Sequence, residues 1–180
     1  MSQKYNPGDE LDVRIEKIVP RGLGLAFAQD LTIFVPLAAA GDRVRVRISR
    51  IKRRTSFADI VAVLEPGPER IEPPCKYFGV CGGCDFQQLN YQAQIAAKAD
   101  IIRDCLLRIG KIEVGRIEVI ASPQEFGYRS RAKWHLDRIE QAVGYFKRDS
   151  HDVVNVDKCP ILTPELQSVF DEMADKTDWA

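Results

Sequence analysis

The stretch Cys75-Lys-Tyr-Phe-Gly-Val-Cys81-Gly-Gly-Cys84, with Cys159-Pro160 far downstream, decides how the chain is read. Three thiols within ten positions, joined by the tight Gly82-Gly83 turn, can converge on one small inorganic object. A fourth thiol from a distant segment would close the shell. Four thiolates gathered at one point repel each other unless a metal or cluster neutralises them. A [4Fe–4S] cluster takes four thiolates in a roughly tetrahedral array. Structural Zn²⁺ takes the same ligands, so the ligand set alone does not separate the two. Zinc sites commonly pair two short knuckles, whereas this chain offers one x2 knuckle, one x5 arm and one remote Cys. That spacing favours a cluster on Cys75, Cys81, Cys84 and Cys159, with zinc and unrelated buried thiols as the other readings. The fifth cysteine, Cys105, falls in a helical pattern beside Leu106 and reads as a small buried hydrophobe.

The 180 residues are 45% hydrophobic and 29% charged, with 12 Gly and 10 Pro, which is ordinary for a globular chain of one domain or two small ones. No apolar run reaches about 18 residues, so no membrane span is expected. The first ten residues lack the apolar core of a signal peptide, which points to the cytoplasm, where structural disulfides are rare. The formal net charge is +0, but residues 1–54 hold 11 Lys/Arg against 6 Asp/Glu. A neutral whole with a basic first third implies an anionic partner. No P-loop, H-E-x-x-H or nucleophile elbow is present, and His135 and His151 are the only histidines.

Upstream of the cysteines, residues 8–64 alternate with period two: Leu11, Val13 and Ile15; Leu31, Ile33 and Val35; Val44, Val46 and Ile48. Such alternation marks half-buried strands. Pro20-Arg-Gly22, Gln29-Asp30, Pro36, Gly41-Asp42 and Arg53–Ser56 break them, and Ile60–Leu64 adds a last apolar strand. Five short strands in so few residues predict a small barrel of the oligonucleotide/oligosaccharide-binding kind. Residues 66–74 are too Pro-rich for a helix or strand interior and read as a stiff linker. Tyr91, Ile95, Ala99, Ile102, Leu106 and Ile109 recur at helical spacing over 90–109, with Asn90 as N-cap and Gly110 as C-cap. Strands are expected at Ile117–Ala121, Arg129–Asp137, Ala142–Lys147 and Val153–Val156. A closing helix is expected after Thr163-Pro164.

Two basic patches stand out. Arg43, Arg45, Arg47, Arg50, Lys52, Arg53 and Arg54 form a dense strand and turn. In Tyr128-Arg-Ser-Arg-Ala-Lys-Trp-His135 a strand would align Arg129, Arg131, Lys133 and His135 on one face, with Tyr128 and Trp134 on the other. Cations beside aromatics suit single-stranded RNA. The plainer reading of each patch is a solvated sheet face.

Cys75-Lys-Tyr-Phe-Gly-Val-Cys81-Gly-Gly-Cys84-Asp-Phe-Gln-Gln-Leu-Asn-Tyr91, Gly127-Tyr-Arg-Ser-Arg-Ala-Lys-Trp134, Val143-Gly-Tyr-Phe146 and Val156-Asp-Lys-Cys159-Pro-Ile-Leu162 together resemble the RNA (uracil-5-)-methyltransferases. The first 65 residues resemble the TRAM domain that precedes them in many members. The resemblance runs in the family's order over essentially the whole chain. It implies S-adenosylmethionine as methyl donor. An enzyme Cys adds to C6 of a uracil flipped out of its stack, and a base removes the C5 proton. In the family those groups lie in a Rossmann-like C-terminal domain, so no catalytic and no S-adenosylmethionine-binding residue is expected within these 180.

The expected architecture is therefore mainly β with α. A TRAM barrel over 1–65, a linker over 66–74 and an α+β iron–sulfur domain over 75–162, including helix 90–109, precede the start of a helical segment at 163–180. The expected function is RNA binding for 5-methyluridine formation, in ribosomal rather than transfer RNA, with self-association through Ile95, Ile102, Leu106 and Ile109. The alternative is a non-catalytic RNA-binding module with a cluster or zinc.

Overall fold

The structure, a computed structural model, describes residues 5–177; the readings made above of residues 1–4 and 178–180 lie outside it. Six strands form the first sheet: β1 (Glu10–Arg14), β2 (Lys17–Val19), β3 (Leu23–Ala28), β4 (Leu31–Val35), β5 (Arg43–Lys52) and β6 (Thr55–Glu65). Their order is β1-β5-β6-β4-β3-β2, with β4 and β6 parallel and every other pair antiparallel. The long β5–β6 hairpin shifts register at three places. Such irregularities sharpen twist and bend a sheet, which lets β5 serve β1 while β6 serves β4. The sheet curls until its edge strands, joined by Ile15-Glu16, meet: Ile15 N–H donates to Asp42 O, and Glu16 N–H to Leu25 O. The alternating apolar residues point into this curl, where Val13, Ile15, Ile33, Val35, Val44, Val46 and Ile48 form one core. Strand β3, which begins directly after the Pro20-Arg-Gly22 breaker, was not among the strands expected from the sequence.

The helix α1 (Tyr91–Arg108) groups with this sheet, in a unit comprising residues up to Glu72 and Gln88–Ile120. That differs from the expected grouping of helix and cysteines. Residues 73–87 leave the unit and return, and their two ends are tied together at the neck. Ile71 N–H donates to Gln88 O, and Asn90 N–H to Glu69 O. Asn90 caps the helix by accepting from Ala93 N–H at 2.9 Å. Gly110 is not the left-handed residue beyond the helix; Lys111 is, at φ 55°.

The Pro-rich segment is not a free linker either. Asp42, fully buried, accepts from Gly67 N–H at 2.8 Å and from Arg70, whose nearer nitrogen lies at 2.7 Å. Arg70 also donates to Leu37 O. Gly67 passes so close that a Cβ there would sit 2.2 Å from Ala40 O. The Gly67 N–H and the Arg70 guanidinium of this segment, with the Ala39 N–H, thus satisfy a carboxylate that could not otherwise be buried.

The second unit comprises Pro73–Gln87 and residues 121 onward. It holds an antiparallel meander, β7 (His135–Asp137), β8 (Ala142–Phe146) and β9 (Val153–Asn155), and the helix α2 (Pro164–Asp175). Thr163 caps α2 by accepting from Leu166 N–H. The strand expected at Ile117–Ala121 does not form. That expected over Arg129–Asp137 is paired only at His135–Asp137, with a lone bridge between Arg129 and Leu162.

Candidate metal centre and nucleic-acid interface

Local hydrogen bonds shape the cysteine segment into successive turns. Phe78 N–H donates to Cys75 O, and Cys81 N–H to Tyr77 O at 2.8 Å. Gly82 N–H then reaches Phe146 O, and Arg148 N–H reaches Val80 O, which lays the Cys81 turn along the end of β8. The Arg148 guanidinium donates to Cys84 O at 2.9 Å and to Asp85 at 2.8 Å. The remote cysteine is placed by α2, where Gln167 Oε1 accepts from Cys159 N–H at 3.0 Å. Asp157 ties the two arms: it accepts from Lys76 Nζ at 2.6 Å and from Tyr77 OH at 2.7 Å.

The result is a single cavity lined by Cys75, Cys81, Cys84 and Cys159, with Tyr77, Phe78, Gln87, Arg129, Tyr145 and Ile161 among its walls. All four thiols are partly buried and unpaired by disulfides. Burial, aided by the neighbouring Cys159 and Cys75, pushes the Cys81 thiol up, against the pull of Gly83 N–H. Burial likewise raises Cys84, while a hydrogen bond from Gln87 lowers it. Tyr145 is pushed up to about 12, by burial first and then by Cys159. Thiolates here oppose one another, so the pocket calls for a cationic occupant. The donor set and its shared cavity fit a cluster. Among the described residues, no group of three or more His, Cys, Asp or Glu side chains is arranged to hold a metal ion. Cys105 lies on α1, outside this cavity.

The basic strand is less available than its sequence implies. Arg45 makes a two-pronged pair with Asp12 at 2.8 and 3.2 Å, Arg47 reaches Glu10 at 2.6 Å, and Arg43 reaches Glu65 at 2.8 Å. The register of β1 against β5 sets Glu10 and Asp12 opposite Arg47 and Arg45, and that of β5 against β6 sets Glu65 opposite Arg43. Asp12 is held below its usual range, chiefly by its hydrogen bond from Arg45. Arg50 instead lies over the Phe57 ring at 4.6 Å. Lys52, Arg53 and Arg54, at the exposed β5–β6 turn, make no ion pair among the described residues.

The second patch is broken up. Arg129 lines the thiol cavity. Its backbone is pinned between Ile161 O and Thr163 N–H, and without a paired strand there is no cation ladder. Trp134 is not a free stacking surface: its indole donates to Tyr145 OH at 3.1 Å, and its ring packs 4.9 Å from Phe170. His135 is stacked on Phe146 at 3.6 Å. Of the patch's cations only Arg131 and Lys133 are exposed, and of its aromatics only Tyr128, at 54%. Sequence reasoning missed Asp42–Arg70, Lys76–Asp157, Arg148 and Gln167, which reach across 8 to 81 positions and leave no local pattern.

Residues 7–68 match the family of the tRNA (uracil(54)-C(5))-methyltransferase TRAM domain. The chain is 34% identical over 169 residues to an uncharacterized RNA methyltransferase of Thermosynechococcus vestitus, covering 92% of this chain and 38% of that protein. It is 32% identical over 177 residues to the 23S rRNA (uracil(1939)-C(5))-methyltransferase RlmD of Pectobacterium atrosepticum, covering 97% and 39%. The crystal structure of the Pyrococcus abyssi tRNA (uracil-54, C5)-methyltransferase with S-adenosyl-L-homocysteine superposes with a TM-score of 0.60 at 26% identity, over 91% of this chain and 36% of that one. The chain thus spans about two fifths of the length of the curated relatives it matches. The curled sheet and the match over residues 7–68 give the chain the TRAM domain of the RNA uracil-C5-methyltransferases, and relatives named as RNA methyltransferases match it over most of its length.

Proposed function

We propose that this chain is the RNA-binding, cluster-bearing part of an S-adenosylmethionine-dependent RNA (uracil-5-)-methyltransferase that forms 5-methyluridine in ribosomal RNA. The observation that carries the reading is the gathering of Cys75, Cys81, Cys84 and Cys159 in one cavity, in a chain whose residues 7–68 match a TRAM domain. Those four thiolates would hold a [4Fe–4S] cluster, which neutralises their mutual repulsion and staples residues 75–84 to the 156–161 segment. Arg129, in the wall of the same cavity, adds positive charge beside them. Ribosomal RNA is favoured over transfer RNA by the similarity to the RlmD relative.

Under this reading the methyl donor supplies an electrophilic methyl group to C5 of the uracil. None of the five cysteines serves as nucleophile: four line the cavity, and Cys105 sits on α1. The contribution of these residues is to bind RNA, through Arg50, Lys52, Arg53 and Arg54 first, and with Arg131 and Lys133 as exposed cations. The chain alone binds RNA without transferring methyl. Among the described residues, no helix is long and apolar enough to cross a membrane.

The test is the visible spectrum of anaerobically purified protein with its iron and sulfide content. A broad brown absorbance with about four irons per chain is expected. A colourless protein holding about one zinc per chain would overturn the cluster.

A further inference from the structure

Cross-strand register sets Phe34 opposite Phe57, Phe57 opposite Arg50, Phe27 opposite Thr32 and Lys52 opposite Thr55. Directly paired residues share a face of a sheet, as do residues two apart on one strand. Phe27, Phe34, Phe57, Arg50 and Lys52 therefore lie on one side of β3, β4, β6 and β5. The other side holds Ala26, Ile33, Val35 and Ala58, all in the core, so the aromatic side faces outward. The Phe34 and Phe57 rings lie 5.5 Å apart, and Phe27 is 51% exposed.

One exposed aromatic needs no explanation. Exposed Phe27 beside half-buried Phe34 and Phe57 on the neighbouring strands, with a guanidinium over the Phe57 ring and cations at the adjoining turn, forms an organised surface. Charge sorts the sheet into two ends. Arg43, Arg45 and Arg47 are closed by carboxylates from β1 and β6. Among the described residues Arg50, Lys52, Arg53 and Arg54 meet no carboxylate, and they border the aromatic end. Asp59 is the next acidic residue along β6, opposite Arg47.

We propose that Phe27, Phe34 and Phe57 form a stacking platform for the bases of an unpaired RNA segment, with Arg50, Lys52, Arg53 and Arg54 taking its phosphates. The proposal rests on the RNA-binding reading above and moves the contact from the basic strand to its aromatic end. Every base has a π-face, so stacking tolerates sequence, and the phosphates follow the cations. A duplex hides its base faces and cannot use the platform. The face selects single strands for that reason, and it presents the strand lying flat along the sheet.

The experiment titrates the chain with a fluorescein-labelled, unstructured U-rich oligoribonucleotide of about 12 nucleotides, and with the same sequence as a duplex, across salt concentrations. Phe27→Ser and the pair Phe34→Leu with Phe57→Leu are expected to weaken single-strand binding about tenfold per ring lost, with the salt slope unchanged. Arg53→Gln with Arg54→Gln is expected to reduce the salt slope by about 1.4. Phe27 is exposed and leucine keeps apolar bulk at the other two positions, and a thermal melt of each variant checks its fold. Aromatic variants that bind like wild type, or a duplex held as tightly as the single strand, would overturn the platform alone. A wild-type chain that binds no RNA at low salt would overturn the RNA-binding reading and the platform with it.

Discussion

Asp42 and Arg129 show how a residue's meaning depends on what faces it. Asp42 read as half of a turn signal, Gly41-Asp42. In the structure it is a buried carboxylate neutralised by Arg70, 28 positions away, and by the N–H groups of Ala39 and Gly67. Removing one partner of a buried pair leaves the other uncompensated. Asp42→Ala is expected to cost about 3 kcal/mol, read as a lower urea midpoint at unchanged slope; a midpoint within error of wild type would mean Arg70 simply turns to solvent. Arg129 read as one rung of an RNA-binding ladder but lines the thiol cavity. Arg129→Ala is accordingly expected to lower the iron content of purified protein and to leave the salt slope of RNA binding unchanged. A slope reduced by about one unit with iron retained would return it to the RNA.

Among the elements, α1 shows what holds a helix whose own pattern is weak. Of its residues only Ala99 is buried. It is fixed at its start by the Asn90 cap and near its end by Asp104, which accepts from Lys17 of β2 at 2.8 Å. The Lys17 ammonium holds the Asp104 carboxyl below its usual range. A depressed folded-state pKa stabilises above the unfolded value and loses that stabilisation as pH falls through the folded value. Hydrogen-exchange protection in the last turns of α1, measured against the intrinsic rate at each pH, is therefore expected to fall below about pH 4, and Asp104→Asn to remove that pH dependence. Identical acid behaviour in the two proteins would show that the pair is only superficial, as many exposed pairs are.

At the scale of the whole molecule, the chain divides at Glu72/Pro73, at Gln87/Gln88 and at Ile120/Ala121. The cysteine triplet is thus an excursion from the unit that holds the sheet and α1, and it completes a separate unit with residues 121 onward. On the first unit, Ile102, Leu107 and Ile109 are exposed on α1, Ile109 by 81%. Of the face expected to associate, Ile102 and Ile109, seven positions apart, are exposed while Ile95 and Leu106 are half-buried, and exposed apolar surface favours association. The chain is expected to sediment with a concentration-dependent mass that Ile102→Ser with Ile109→Ser abolishes. A single monomeric species at high concentration would show that this face stays solvated.

The sequence by itself determined what rests on short-range pattern. Alternation over Leu11–Ile15, Leu31–Val35 and Val44–Ile48 sufficed for the curled sheet, because a side-chain period of two sets each residue's face. Asn90 and Thr163 sufficed for the helix starts, because an N-cap contacts only its own first turn. The four cysteines were legible because few residue patterns gather thiols. Tertiary structure alone decided which charges are spent. Cross-strand register pairs Arg45 with Asp12 and leaves Arg53 free, and the path of residues 121–134 takes Arg129 out of any strand and into the cavity. Ion pairing depends on distances of a few ångströms between residues dozens of positions apart, and no local pattern along a chain encodes that separation.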